Sequence, residues 1–412
     1  MTQIKELLLR CNKCGLCQQS CPTYKVTKNE FYLARGRNRL MDLVLEKKYD
    51  WQKQIIYAIE TCLQCGACVE TCPSSVKTDL VMNLAKREIV KIKKQNILLK
   101  FAYKILLPTP QMIKIVGKFV KVYSKVKDKK VVKYVKRLNP INDLKRLERS
   151  LPNYRGEVGE LKTKGKGSFN KEIRVGYFKN CANLLAFNFL DQSTFNVLKA
   201  VGIHVENLTN KCCGAPHWFS GDIETFRNLA NYNLKNSEYQ KYDFIVTDCA
   251  TCGAILKRYG ELLETKEAHE FAQKVIDINE FLVKNELLDY FEYEERSDVI
   301  TVHDPCHLVR EQKVKFEPRK IANMVPGVKL IEMKDSNMCC GGAGVFSITQ
   351  PRMSDEILKV KIKNILETKA NIVLAACPSC IMQLTRGVET FAPNSNIKVF
   401  HPIEYLVQHI KK

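Results

Sequence analysis

Ten cysteines fall into two copies of one pattern. Cys181, Cys212, Cys213, Cys249 and Cys252 are separated by 31, 1, 36 and 3 positions. Cys306, Cys339, Cys340, Cys377 and Cys380 are separated by 33, 1, 37 and 3. Two independent accidents would not agree so closely, so the second half of the chain is an internal repeat. Adjacent cysteines rarely bond each other, because the eight-membered ring is strained. Two neighbouring thiolates facing one point are better read as ligands. The segments ahead of the cysteines repeat as well. "IRVGYF" precedes Cys181 and "DVITVHDP" precedes Cys306, while "YDFIVTD" precedes Cys249 and "ANIVLAA" precedes Cys377. These short β-branched and aromatic runs read as buried strands. Helical patterns follow, "ETFRNLANYNLKNSEYQ" in one copy and "MSDEILKVKIKNILETK" in the other. Strand alternating with helix predicts a parallel sheet, with its site at the carboxyl ends of the strands.

The other eight cysteines lie near the start of the chain, in "CNKCGLCQQSCP" and "CLQCGACVETCP". Both fit C-x2-C-x2-C-x3-C-P, the bacterial ferredoxin run, in which the fourth cysteine serves the other cluster. That rule assigns Cys11, Cys14, Cys17 and Cys72 to one cubane 4Fe–4S cluster. It assigns Cys62, Cys65, Cys68 and Cys21 to a second. Structural zinc needs four tetrahedral ligands and has no use for this interleaving. The forty residues between the runs have a helical pattern, which predicts a helical two-cluster module. The expected fold is therefore α+β and multidomain. A helical two-cluster ferredoxin module (1–95) precedes a basic helical segment and linker (96–172). Two repeated α/β units with short parallel sheets follow (173–290 and 291–412).

The five-cysteine unit resembles the cysteine-rich CCG domain, found in the heterodisulfide reductase catalytic subunit and in iron–sulfur subunits of flavin dehydrogenases. The whole chain resembles the iron–sulfur subunit of glycolate oxidase and its D-lactate dehydrogenase relatives. The resemblance is carried by "CPTYKVTKNEFYLARGR", "CCGAPHWFSGD", "CGAILKRYGELL", "HDPCHLVREQKV", "CCGGAGVFSITQPRMS" and "HPIEYL". It implies an electron-transfer subunit that serves a separate FAD dehydrogenase oxidising glycolate or lactate, with a quinone or another acceptor beyond. It also implies one or two noncubane 4Fe–4S clusters on the ten repeated cysteines. Many members lack the first cysteine of one or both C-x2-C pairs, whereas this chain keeps Cys249 and Cys377. The alternative implied by the same resemblance is a thiol–disulfide oxidoreductase of heterodisulfide reductase type. Neither a G-x-G-x-x-G fingerprint nor a Walker lysine accompanies "CCGGAG", so no flavin or nucleotide is expected on this chain. No Ser-His-Asp or paired-carboxylate arrangement stands out, so hydroxy-acid chemistry is expected on the partner.

Four histidines invite two readings. His217, His303 and His307 lie beside the cysteines and can donate to cluster sulfur, gate protons or border a quinone. The plainer reading of each is a structural histidine at a strand end, and His401 in "HPIEYL" is read as structural. Net charge is +22, and residues 86–149 carry 20 Lys/Arg against 4 Asp/Glu, a local excess of 20 − 4 = +16. The start of the chain lacks a continuous apolar signal core and no apolar run of membrane-spanning length occurs, so a cytoplasmic protein with reduced thiols is expected. In "MIKIVGKFVKVYSKVK", Lys114, Lys118, Lys121 and Lys125 recur at helical spacing opposite Ile113, Val116, Val120 and Tyr123. Such a helix either packs on the domain core with a solvated lysine face, or lies on an anionic surface such as the cytoplasmic face of the inner membrane. No nucleic-acid module accompanies the charge, so nucleic acid is not expected as a partner. On the membrane reading, each lysine contributes about 1 kcal/mol near an anionic surface. Changing all four to Gln should then weaken binding to anionic vesicles in low salt and leave the iron content unchanged. Equal binding to neutral and anionic vesicles would point to a protein partner instead.

Overall fold

The computed structural model describes residues 2–92, 109–116, 118, 149, 159–164, 169, 172–185, 187–344 and 346–411. Most of the basic segment, with Lys121 and Lys125, lies outside the described residues. Within it, Ile113 is buried and Lys114 and Lys118 are exposed. Among the described residues no helix is long and apolar enough to cross a membrane.

The N-terminal module is built from helices. The longest are Ala34–Leu45, Lys53–Glu60 and Thr78–Ile92, with short helices at Cys17–Ser20 and Ala67–Glu70 inside the two cysteine runs. Apolar residues at helical spacing turn one face of each long helix inward. Met41, Val44, Ile55, Ile59, Val81, Met82, Ala85 and Ile89 form the core with Ile4 and Leu8. Arg37 is buried within the module. Its guanidinium donates to Ala58 O (2.7 Å), Thr23 Oγ1 (3.2 Å) and Thr61 Oγ1 (3.3 Å), so the charge is compensated at three points.

The rest of the chain is two copies of one α/β unit. The first contains β1 (Arg174–Tyr177), β2 (His204–Asn207), β3 (Phe244–Thr247) and β4 (Val275–Asp277), in the order β2-β1-β3-β4. The second contains β5 (Val299–His303), β6 (Lys329–Leu330), β7 (Ile372–Ala375) and β8 (Lys398–Phe400), in the order β6-β5-β7-β8. Every pairing is parallel, and Val175 registers with Val205 and Phe244 as Ile300 registers with Leu330 and Ile372. The inner strands are apolar on both faces because helices cover both. The two repeated helical patterns form Ile223–Asn236 and Pro351–Glu367. In each sheet the chain leaves the first strand in one direction and returns in the other. The crevice outside the strand ends therefore opens beside β1 in one unit and β5 in the other, as in other doubly wound sheets.

The two units share one continuous core that runs from Ile173 to Ile410. At their seam, helix Ala250–Lys257 of the first unit lies against the π-helical turn His307–Gln312 of the second. Gln312 Nε2 donates to Ala250 O (2.9 Å), and Ala250 N donates to Ala376 O (3.3 Å). A Cβ at Gly253 would stand 2.6 Å from the Gln312 amide, so only glycine allows this approach. The N-terminal module docks on both units. Asn83 Nδ2 donates to Trp218 O (2.6 Å), Arg310 pairs with Glu70 (2.8 Å) and Lys25 with Asp335 (2.8 Å). Gly221, at φ 88°, meets the backbone of Lys86 and Arg87, where a Cβ would stand 2.6 Å from Lys86 C. Gly253→Ala should destabilise the chain by about 1–3 kcal/mol, the usual cost of overpacking a close contact, read as a lower thermal midpoint. An unchanged midpoint would mean that the seam has slack the contact geometry lacks.

Candidate metal centres

The eight N-terminal cysteines line two clefts. One is bordered by Cys11, Cys14, Cys17 and Cys72, and the other by Cys21, Cys62 and Cys65. Cys68 stands in the wall of both. The structure thus brings Cys72 to the first run and Cys21 to the second. The exchange follows from the fold, because helices Cys17–Ser20 and Ala67–Glu70 pack on each other, with Ser20 Oγ donating to Ala67 O (3.3 Å). The donor sets fit two four-thiolate clusters. Burial pushes Cys17 up and Cys68 far up, and it pushes Cys65 up to about 12, with the neighbouring Cys306 adding to the effect. Cluster binding must therefore release protons.

The ten repeated cysteines all lie beyond the carboxyl ends of the strands. Cys181 follows β1, Cys212 and Cys213 follow β2, and Cys249 and Cys252 follow β3. The second unit repeats this with Cys306, Cys339, Cys340, Cys377 and Cys380. Their thiols form one row in which each influences the ionisation of the next. It runs from Cys181 through Cys212, Cys213, Cys252 and Cys249. It crosses the seam from Cys249 to Cys377 and continues through Cys380, Cys340 and Cys339 to Cys306. Cys340 and Cys380 are 3.7 Å apart. Cys213 is drawn down to about 5 by the Cys212 and Cys252 thiols, and Cys340 and Cys377 lie well below the ordinary thiol range for the same kind of reason. Cys306 is drawn down to about 6 by the Cys339 thiol. The donors Cys252, Cys339 and Cys380 are held up correspondingly. The five cysteines gathered beyond the strand ends of each unit supply the donors that an iron–sulfur site of five thiolates needs.

The row does not stop at Cys306. Cys65 of the N-terminal module packs with Leu63, Ala67, Cys339 and Phe346 in one cluster that includes Cys306. Arg310, four residues beyond Cys306, donates to Cys65 O (3.3 Å) while its Nε binds Glu70. The second unit is thereby placed beside the Cys21/Cys62/Cys65/Cys68 cavity, and the first unit lies across the seam.

The surroundings of the two five-cysteine sites differ. In the first, Tyr259 Oη donates to Cys213 O (2.8 Å) and Asn233 Nδ2 to Cys212 O (3.1 Å). Buried Asp248 accepts from Tyr177 Oη (2.6 Å) and Asn180 Nδ2 (2.7 Å), and desolvation raises it to about 7. In the second, Gln383 Nε2 donates to Cys340 O (3.2 Å), and fully buried Lys361 donates to Asp335 O (2.6 Å) and Ser336 O (3.1 Å). Sequence reasoning did not single out Asp248, Lys361 or Gln383. Only the contrast of "VTDC" with "LAAC" hinted at Asp248.

The histidines separate by position. One nitrogen of His303 lies with the Cys340 and Cys380 sulfurs in a group spanning no more than 4.8 Å. His307 sits on the seam, stacked on Phe219 at 4.8 Å with Nδ1 3.1 Å from Thr251 Oγ1, which is itself 3.7 Å from Cys377 Sγ. His217 is buried in helix Ala215–Ser220. His401 caps helix Pro402–Gln408 by accepting from Ile403 N (3.3 Å), and burial lowers it to about 3.

The crossed cavities predict crossed effects. Cys21→Ser should perturb the paramagnetic signal of the cluster on Cys62, Cys65 and Cys68, and Cys72→Ser that of the other. The ligand assignment is wrong if each substitution disturbs only the cluster nearest it in sequence. Four occupied sites should give about 16 iron per chain, at four per site. About 8 iron with freely alkylated C-terminal thiols would leave the five-cysteine units without clusters.

Comparison with known proteins bears on this arrangement. A 4Fe-4S dicluster domain matches residues 7–76, and a cysteine-rich domain, CCG, matches residues 175–257 and 300–385. A probable glycolate oxidase iron-sulfur subunit of Bacillus subtilis is 28% identical over 97% of this chain and 94% of its own length. An uncharacterized iron-sulfur protein of Methanococcus maripaludis is 28% identical over 98% of this chain and 72% of its own. Lactate utilization protein A of Oceanobacillus iheyensis is 27% identical over 58% of this chain and 98% of its own. A hypothetical protein from Helicobacter pylori shares the fold, at a TM-score of 0.53 and 11% identity, over 100% of this chain and 73% of that one. The chain thus carries a 4Fe-4S dicluster domain and two cysteine-rich CCG domains, and over nearly its whole length it is similar to a probable glycolate oxidase iron-sulfur subunit.

Proposed function

We propose that the chain is the electron-transfer subunit of a complex in which a partner FAD dehydrogenase oxidises glycolate or lactate and a quinone or other acceptor takes the electrons. The observation that carries this reading is the unbroken line of cysteine sites. It runs from the Cys11 cavity through Cys65 and Cys306, and then across Cys377 and Cys249 to Cys181. Iron–sulfur clusters bound along it supply one-electron chemistry. We assign cubane 4Fe–4S clusters to Cys11, Cys14, Cys17 and Cys72 and to Cys62, Cys65, Cys68 and Cys21. Noncubane 4Fe–4S clusters are assigned to the two five-cysteine sites, within units taken as 173–290 and 291–412 after a 1–95 module and a 96–172 linker. The side chains around them hold and shield. Arg310 fixes the module against the second unit, Tyr259 and Gln383 hold the two Cys-Cys-Gly loops, and the shared core keeps water from the thiol row. Oxidation of the hydroxy acid belongs to the partner. The complex, purified anaerobically, should contain a flavoprotein, and glycolate or lactate should bleach its iron–sulfur absorbance. A chain that purifies without a flavoprotein and stays oxidised with both substrates would sink the reading.

A second reading is favoured by the meeting of Cys249 and Cys377. Two complete five-thiol sites facing each other suit a thiol–disulfide oxidoreductase, in which a disulfide takes two electrons and two protons to give two thiols. Disulfide reduction by the isolated chain with an artificial one-electron donor would select this reading, and its absence would reject it.

A further inference from the structure

The two five-cysteine sites are copies in topology but not in what surrounds them, and three of the differences fall at matched positions and change charge or polarity. Three residues before the first cysteine, at the end of the leading strand, the first unit has Phe178 and the second has His303. Directly before the C-x2-C pair, the first unit has Asp248 and the second has Ala376. The third pair lies on the helix behind the Cys-Cys-Gly loop. Phe226 of that helix packs over Gly214, and in the second unit the Ser354 carbonyl and the Ile357 side chain lie over Gly341; counted back from the C-x2-C pair, Phe226 and Ser354 occupy the same place. Seven residues further on stand Asn233 and Lys361. Both reach back to the loop that ends in the paired cysteines, Asn233 at Cys212 O and Lys361 at Asp335 O and Ser336 O.

All three differences act in one direction. His303 is 1% exposed, among the described residues no nitrogen or oxygen partners its ring, and it lies with the sulfurs of Cys340 and Cys380. Lys361 is 0% exposed, donates to the carbonyl oxygens of Asp335 and Ser336, and feels the charge of Cys340 and Cys339. The first site has an aromatic ring, an amide and a carboxyl in the corresponding places. Adding an electron to a group held by thiolates increases its negative charge. Donors to the sulfur and a nearby cation stabilise that added charge, whereas an apolar ring or a carboxyl does not.

We propose that His303 and Lys361 make the second five-cysteine site the more easily reduced of the two. His303 acts as a donor to Cys340 Sγ and Lys361 as a fixed cation behind the Cys339–Cys340 loop. Both are positioning residues, since neither holds the group itself. The inference rests on the reading of these sites as cluster sites and deepens it. The better electron acceptor of the pair is then the site beside Cys65, and the first site fills only once the second is reduced.

The test is a potentiometric titration, followed by paramagnetic resonance, of the full chain reconstituted anaerobically. Signals are assigned to the two sites with a Cys212→Ser variant that disables the first. In the unaltered chain the second-site signal should appear at the higher potential. His303→Phe and Lys361→Asn install the first unit's residues. Together they should shift electron occupancy toward the first site by tenfold or more, a fall of about 59 mV for one electron. His303→Gln, which keeps a donor, should restore part of the difference relative to His303→Phe. Iron content and the N-terminal signals should stay constant, which separates a tuning role from a structural one. If the C-terminal sites take up no iron, the cluster reading and this inference both fall. If they take up iron but the second site is not the higher, or its potential ignores these substitutions, this inference alone is overturned.

Discussion

The contact between helix Ala250–Lys257 and the turn His307–Gln312 is the constraint on which the arrangement of sites depends. Each α/β unit delivers its cysteines to the carboxyl ends of its own strands, but topology alone does not say where the two groups of five point relative to each other. The seam decides that. Gly253 lets the Gln312 amide reach Ala250 O, Ala250 N binds Ala376 O, and the cysteines beside those residues, Cys249 and Cys377, are brought into contact. The backbone N–H and C=O of Ala250 are both paired across the seam, so the units share an apolar core without stranding that donor or acceptor.

Docking of the N-terminal module then breaks the symmetry of the pair. The seam treats the two units nearly alike, whereas the module puts its Cys65 beside Cys306 of the second unit. The fixing group is Arg310, whose side chain is largely buried between Glu70 and Cys65 O. Against the first unit the module offers helix Thr78–Ile92, through Asn83, Lys86 and Arg87. It brings no cysteine there, and Arg87 lies over the Trp218 ring at 4.7 Å. One contact is therefore between sites and the other is structural.

Much of this was legible in the sequence, for identifiable reasons. Spacing is a local property, and the C-x2-C-x2-C-x3-C-P runs and the two Cys-Cys-Gly motifs carry their chemistry in it. Strand and helix periods placed β1, β3, β5 and β7 directly before cysteines, where the structure has them. The missing parts depend on distant residues. Nothing in the segments around Cys249 and Cys377 says that they meet, since the contact needs Gly253 and Gln312 as well. Lys361 reads as one more lysine in "LKVKIKNI", and only the fold shows it fully buried behind Cys339 and Cys340. His303 stands out in the sequence for its place beside Cys306, yet its sulfur neighbours are Cys340 and Cys380, more than thirty residues on. The basic stretch with Lys121 and Lys125 remains a matter of sequence pattern.

The tightness at Gly253 has a consequence for how such a chain can diverge. A side chain at residue 253 needs space that the Gln312 amide already occupies. A shorter residue at 312, arriving first, would leave Ala250 O without its donor. Each change alone is harmful, and only the two together can be neutral. Descendants of this sequence should then inherit the glycine and the glutamine as a pair or exchange them as a pair, although they stand 59 positions apart and belong to different copies of the repeat. The duplication that made the two units gave them identical topologies. At the seam it left them with a shared fate.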